Sequence, residues 1–287
     1  ELTPRQRNYI QKVHLSAVSL LGILNDILDF SKIEAGRMSM ESVDFELSQV
    51  LDNLVSMFSM RAQEKGLELI FDIDPAIPPM LVGDPLRLGQ VLANLLSNAI
   101  KFTEHGDIVL QCRCSAQTAE RATLRFAVSD TGIGMSADQV SRLFGAFSQA
   151  DNSISRRFGG SGLGLAISQR LTQLMGSEIS VASQPDAGSI FSFSLDLAVS
   201  HSPLPAHRQP NQDWQQQRAL VVDDNQTAAE ILRDMLQHFG FVTDMAFSGP
   251  AGLAHLRQAS ASGQPYALLL CDWKMPGLSG QEVFERV

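Results

Sequence analysis

Arg157-Phe-Gly-Gly-Ser-Gly-Leu-Gly-Leu165 runs directly into Ala166-Ile-Ser-Gln-Arg-Leu-Thr-Gln-Leu-Met175, and this stretch decides how the rest of the chain is read. Gly159, Gly160, Gly162 and Gly164, with Ser161 and Leu163 between them, leave no Cβ to block a phosphate chain. Leu165, Ile167, Leu171, Leu174 and Met175 then recur at helical spacing, so the segment predicts a glycine loop feeding a helix. The first turn of a helix has backbone N–H groups without intrahelical partners and carries the positive end of the dipole, which suits an anion. No Gly-Lys-Ser/Thr follows, which sets aside the phosphate-binding P-loop. The glycines fall as G-x-G-x-G after no clear strand, which sets aside the dinucleotide fingerprint. Taken alone, the segment also reads as a flexible loop.

Two companions narrow the reading. In Leu124-Arg-Phe-Ala-Val-Ser-Asp130-Thr-Gly132-Ile-Gly134-Met135, apolar Leu124, Phe126 and Val128 alternate with Arg125, Ala127 and Ser129, the pattern of a half-buried strand. Asp130 ends that strand, and Gly132 and Gly134 allow a close backbone approach. A carboxylate there accepts a hydrogen bond from adenine N6 and would repel the carbonyl oxygen of guanine. By itself Asp-x-Gly reads as a turn. In Gln90-Val-Leu-Ala-Asn94-Leu-Leu-Ser-Asn98-Ala-Ile-Lys101, the polar residues Asn94, Asn98 and Lys101 share one helix face, while Val91, Leu92, Leu95, Leu96 and Ile100 form the apolar remainder. Two carboxamides and an ammonium suit a hydrated Mg²⁺ and a polyphosphate, because Mg²⁺ keeps several waters and takes few protein oxygens. A solvated polar stripe accounts for any one of the three, and less readily for all of them beside two glycine motifs.

The order Asn-x3-Asn-x2-Lys, Asp-x-Gly-x-Gly, a Phe-containing segment and Gly-x-Gly-x-Gly resembles the ATP-binding domain of sensor histidine kinases, part of a wider ATPase group that includes gyrase, Hsp90 and MutL. The resemblance covers roughly residues 40–198. It implies an ATP site of Asn94, Asn98, Lys101, Asp130, Gly132, Gly134, Phe144, Phe147, Arg157, Gly160, Ser161, Gly162, Leu163 and Gly164. Within it, Asn94 and Lys101 take catalytic roles and Asn98 holds Mg²⁺. Phe144 and Phe147 match the Phe-containing motif before the ATP lid, which spans about residues 148–161, and Arg156 and Arg157 match its basic residues. Gly188-Ser-Ile-Phe-Ser-Phe193 resembles the closing strand.

Residues 5–34 read as one helix, with Ile10, Val13, Ala17, Leu20, Leu21, Leu24, Ile27 and Leu28 near heptad spacing and Gly36 just past its end. Its ending, Asp29-Phe-Ser-Lys-Ile-Glu-Ala-Gly36, resembles the second helix of the dimerisation hairpin in hybrid histidine kinases. The first hairpin helix of that family carries the phosphoacceptor His, and none of the six histidines here has its sequence context; His14 is read as a polar position on a bundle helix. Residues 200–217 have linker composition, with three prolines and five glutamines. Arg218-Ala-Leu-Val-Val-Asp223-Asp224 reads as a buried strand ending in paired acids. Thr227–Phe239, Phe241–Ala246 and Gly249–Ala259 read as helix, strand and helix, and Ala267-Leu-Leu-Leu-Cys-Asp272 as another buried strand. This region is similar to a response-regulator receiver, which implies Mg²⁺ on Asp223 and Asp224 and Asp272 as phosphoacceptor.

The expected architecture is α+β. A long bundle helix (1–38) precedes a histidine-kinase-type ATPase sandwich (39–199), a linker (200–217) and a doubly wound α/β receiver (218–287) whose later strands are not in the sequence. The resemblance implies ATP and Mg²⁺ as cofactors, a hairpin-mediated homodimer, and a downstream phosphotransfer domain or response regulator. It also implies a cytoplasmic location, with the parent anchored in the inner membrane by segments outside this chain. A formal charge of −9 argues against non-specific nucleic-acid binding. The three cysteines show no metal spacing and read as reduced thiols, and no apolar run is long enough to span a membrane. Two other functions fit parts of the sequence: a nucleotide-binding module without phosphotransfer, and an ATPase of the chaperone or topoisomerase type. The receiver-like region and Ser31-Lys-Ile-Glu-Ala-Gly36 speak against the latter.

Overall fold

The computed structural model describes residues 3–145, 162–202 and 216–286, in two units, 1–203 and 204–287. The first begins with helix α1 (Pro4–Glu34). Thr3 and Gln6 form a reciprocal capping box at its start, and Gly36 follows its end with φ +63°. Along most of its length the apolar stripe stays open: Ile10, Val13, Leu20, Leu21, Leu24, Ile27 and Leu28 are between 44% and 69% exposed. Among its described side chains, those of the last turns pack on the rest of the unit. Ile33 is buried, and the Asp29 carboxylate accepts from Arg87 Nη1 at 3.2 Å and Gln90 Nε2 at 2.9 Å.

The remaining elements of this unit are β1 (Val43–Glu46), α2 (Leu47–Lys65), β2 (Leu67–Ile73), β3 (Met80–Gly83), α3 (Pro85–Phe102), β4 (Gly106–Gln117), β5 (Arg121–Asp130), α4 (Ala137–Ser141), α5 (Gly164–Leu174), β6 (Ser180–Ser183) and β7 (Ser189–Val199). The strands form one sheet in the order β1-β3-β7-β5-β4-β2, with β6 beside β7; β2 and β4 are parallel and the other pairs antiparallel. Alternation along the central strands sends Ile108, Leu110, Cys112, Leu124, Phe126, Val128, Phe191, Phe193 and Leu195 inward. The rings of Phe126 and Phe193 stack across strands at 5.2 Å. Helices α2, α3 and α5 supply the facing half of this core through Leu54, Phe58, Leu92, Leu96, Ile167 and Leu171.

Helix α3 is fixed at both ends. Asp84 caps its start, accepting from the Arg87 N–H at 3.0 Å and, through its other oxygen, from the Glu41 N–H at 2.9 Å. At its end, Lys65 Nζ from α2 donates to the carbonyls of Ile100, Lys101 and Thr103 at 2.6, 3.2 and 3.3 Å, a cation placed on the negative pole of the helix.

The second unit is a three-stranded parallel sheet in the order β10 (Leu268–Cys271), β8 (Arg218–Val222), β9 (Val242–Ala246). Helix α6 (Gln226–His238) covers one face over Ala219 and Val221. Helices α7 (Gly249–Ala261) and α8 (Gly280–Phe284) cover the other over Leu220 and Val222. Helices on both faces of a parallel sheet make a doubly wound arrangement, and β8 is buried throughout after Arg218 for that reason.

Candidate nucleotide and phosphoryl-transfer sites

Helix α3 organises the candidate site of the first unit. Its apolar face is wholly buried, and Asn94, Asn98 and Lys101 lie half-buried along its other face. Asn94 Nδ2 donates to Ser168 Oγ at 2.8 Å, and a Cβ on Gly164 would lie 2.4 Å from Asn94 Oδ1. The start of α5 is thus seated against Asn94. Among the described residues the Asn98 side chain has no hydrogen-bond partner. Burial lowers the pKa of the Lys101 ammonium, which also lies 4.7 Å from the centroid of the Phe102 ring.

The turn after β5 docks on the end of the same helix. The Ile133 N–H donates to the Phe102 carbonyl at 3.4 Å, and a Cβ on Gly132 would lie 2.6 Å from that oxygen. Gly134 has φ +60°, and a Cβ there would lie 1.8 Å from the Gln184 carbonyl. Both glycines are therefore demanded by the protein's own backbone, a reason independent of any ligand. Asp130 is 8% exposed and accepts from the Gly132 N–H at 2.9 Å. Burial pushes its carboxyl pKa up, against the opposing pull of the Gly132 and Ser189 backbone N–H groups.

Leu163 is buried and Gly162 takes φ +69°, so the chain enters α5 through a left-handed turn. Gly162 and Gly164 thus have local causes, in this turn and in the Asn94 contact. Phe144 is half-buried on the main core and lines a cleft of about 430 Å³ between α1 and α5 with Phe30, Glu34 and Arg170. Phe147, Arg156, Arg157, Gly160 and Ser161 lie outside the described residues. The sequence reading missed Ser168 and Thr172. Both are buried on α5, and Thr172 Oγ1 donates to the Ser168 carbonyl at 2.7 Å. The signal was present: Gly164, Ser168 and Thr172 recur at intervals of four on the same side as buried Ile167 and Leu171.

In the second unit, Asp223 and Asp224 follow β8 and Asp272 follows β10, so the register of adjacent parallel strands gathers all three. Their carboxylate oxygens lie within 4.8 Å of one another. Asp223 accepts from the Asn225 N–H at 2.8 Å, and Asp272 from the Trp273 and Lys274 N–H groups at 2.7 and 3.2 Å. Burial raises the Asp223 pKa, and the negative charges of Asp272 and Asp224 add to it. Three crowded carboxylates at the C-terminal edge of a parallel sheet repel one another until a hard cation joins them, and an oxygen-only donor set suits Mg²⁺. Among the described residues no helix is long and apolar enough to cross a membrane.

Residues 83–199 match the family model of histidine kinase-, DNA gyrase B- and HSP90-like ATPases, and residues 219–287 match the response regulator receiver domain. The chain is 45% identical over 84% of its length to sensor histidine kinase GacS of Pseudomonas protegens. It is 43% identical over 82% to signal transduction histidine-protein kinase BarA of Escherichia coli K12. It spans about a quarter, 26%, of each of those relatives. Among solved structures, full-length ShkA in complex with AMPPNP matches 99% of this chain and 83% of its own, at 25% identity and a TM-score of 0.59. With an α+β ATPase sandwich of histidine-kinase type followed by a receiver-type sheet, the chain belongs to the hybrid sensor histidine kinases.

Proposed function

We propose that this chain is the ATP-binding and receiver portion of a phosphorelay kinase. It would use Mg-ATP to phosphorylate an imidazole on the first helix of a dimerisation hairpin, and pass that phosphoryl group to Asp272. The observation that carries the reading is the convergence of three separated motifs on helix α3. Asn94 holds the start of α5, the end of α3 holds the turn after Asp130, and Asn98 and Lys101 lie between. The sequence distance between these motifs has no local explanation; a shared ligand supplies one.

Within this reading Asp130 accepts from the adenine amine. The phosphates are assigned to the glycine-rich entry to α5, of which Gly162, Leu163 and Gly164 are described; Arg157, Gly160 and Ser161, assigned with them from the sequence, lie outside the described residues. Phe144 is assigned to the segment before the lid; Phe147, assigned with it from the sequence, lies outside the described residues. Bound Mg²⁺ neutralises charge on the phosphates, and Asn98, with Asn94 beside it, is the group that would hold it. The partly desolvated Lys101 ammonium interacts more strongly with phosphate than it would in water. Positioning and electrostatic stabilisation are the main means of phosphoryl transfer. Asp223 and Asp224 would hold the second Mg²⁺ beside Asp272. The domains are 1–38, 39–199 and 218–287, with 200–217 as linker. The open apolar stripe of α1 supports pairing of two copies through the hairpin, since exposed contiguous apolar surface marks an interface. A phosphotransfer domain or response regulator would receive the phosphoryl group from Asp272.

The test is incubation of the full chain with γ-labelled ATP and Mg²⁺, alone and with a separately made hairpin bearing its His. The reading expects label on the added hairpin and then, by transfer, on the chain, lost from the chain in Asp272→Asn. Label that appears on the chain without the hairpin points to His14, exposed on α1, and overturns the assignment of the acceptor. No transfer to the hairpin while ATP binds reduces the chain to a nucleotide-binding module.

A further inference from the structure

We propose that Ser168 is a positioning residue of the nucleotide site, which anchors the Asn94 carboxamide on α5 and so holds its oxygen where it can meet the bound metal. The inference rests on the nucleotide site proposed above and assigns a role to a residue that the motifs leave out. A carboxamide has a donor end and an acceptor end of nearly the same shape, and only the oxygen can meet a cation. Which end faces the site is decided by the neighbours of each.

At Asn94 both ends are fixed. The nitrogen donates to Ser168 Oγ at 2.8 Å, and the oxygen lies against Gly164 at the start of α5. That helix start presents N–H groups and the positive pole of an eleven-residue helix. An oxygen facing it is favourable, whereas the reversed amide would set its own N–H donors against that pole. Ser168 is itself held in place. It is 2% exposed, it sits one turn into the helix, and Thr172 Oγ1 bonds its carbonyl at 2.7 Å. Substitution of Ser168 by Ala leaves the Asn94 nitrogen beside an apolar methyl group, and the amide then loses the hydrogen bond that anchors it on α5. Partners behind a metal ligand commonly change metal affinity about 10- to 100-fold when removed.

The test is calorimetric titration of the full chain with ATP, once with Mg²⁺ and once with EDTA, for wild type, Ser168→Ala, Ser168→Thr, Asn94→Ala and the Asn94→Ala/Ser168→Ala double variant. Ser168→Ala is expected to lower the Mg²⁺-dependent gain in ATP affinity about tenfold, with Mg²⁺-free binding and the thermal midpoint little changed. Ser168→Thr, which keeps the hydroxyl, is expected to retain most of the gain. The double variant should lose no more than Asn94→Ala alone, because both changes remove one interaction. Equal losses with Mg²⁺ and EDTA, or additive losses in the double variant, would mean that Ser168 only supports the helix and would overturn the proposal. A wild-type chain with a Mg²⁺-dependent gain that Ser168→Ala leaves intact overturns the Ser168 role alone. A wild-type chain that does not bind ATP overturns the nucleotide site and this inference together.

Discussion

Asp130 shows most clearly how one residue's surroundings set its chemistry. Its carboxylate sits 8% exposed at the end of β5, and burial raises its pKa despite two backbone N–H donors. A raised folded-state pKa means the folded chain holds the proton more tightly than the unfolded one. The contribution of this group to stability is therefore full below the ordinary carboxylate value of about 3.9 and is lost as the pH rises through the folded value. Asp130→Asn, neutral at every pH, should match or exceed the wild-type thermal midpoint at pH 7, and that difference should shrink as the solution is acidified toward pH 4. The same variant should bind ATP at least about tenfold more weakly, since its amide cannot offer a charged acceptor to the adenine amine. A wild-type affinity that stays flat until the pH reaches the ordinary carboxylate range would contradict the burial argument. Asp130 was legible in the sequence because a charge ending an apolar alternation stands out. Ser168 was not, because a serine on a helix reads as surface until the fold places it 2% exposed against Asn94.

At the scale of elements, the glycines and one lysine hold the site together. A Cβ at Gly134 would lie 1.8 Å from the Gln184 carbonyl, in a conformation with φ +60° that side chains disfavour. Backbone atoms cannot move away as a flexible side chain can, so Gly134→Ala should destabilise the first unit by at least about 2 kcal/mol, read as a lower thermal midpoint before any nucleotide is added. A variant with unchanged stability but lost ATP binding would return this glycine to a purely ligand-facing role. Lys65→Met should cost about 1 kcal/mol, because three carbonyls at the end of α3 lose their cationic donor. The sequence carried the strands and helices in periodic form, and α1, α6 and β8 lie within a residue or two of the spans read from it. It could not show that the turn glycines serve close backbone packing, since their partners, Phe102 at the end of α3 and Gln184 in the turn after β6, are remote in sequence. Lys65 was equally hidden, for a lysine at the end of α2 looks like solvated charge until α3 is folded beside it.

At the scale of the whole molecule, the two units differ in the core that supports them. The first buries one continuous cluster between a seven-stranded sheet and its helices, whereas the second divides its apolar residues into two smaller clusters on either side of three strands. Stability follows buried apolar area, so the units should open separately. Hydrogen exchange should show the greatest protection in β5 and α3, with markedly lower protection across 218–286. Uniform protection would contradict this. In α1 the same measurement should find protection concentrated near Asp29 and Ile33, where the helix packs, and low protection near the exposed Val13 until a second copy pairs with it. The ATPase-type and receiver-type regions, the strand pattern and the gathering of Asp223, Asp224 and Asp272 were legible from motifs; the α1 attachment through Asp29, Arg87 and Gln90 was not, because it joins residues about sixty positions apart without a periodic trace. The account as a whole turns on adenine nucleotide binding by the first unit. Its most direct test is calorimetric titration of the full chain with Mg-ATP and Mg-GTP, in wild type and Asp130→Ala. The account predicts saturable one-site binding of ATP, GTP weaker by at least about tenfold, and loss of ATP affinity in the variant. Equal affinity for the two nucleotides, or an Asp130→Ala chain that binds ATP like wild type, would contradict it.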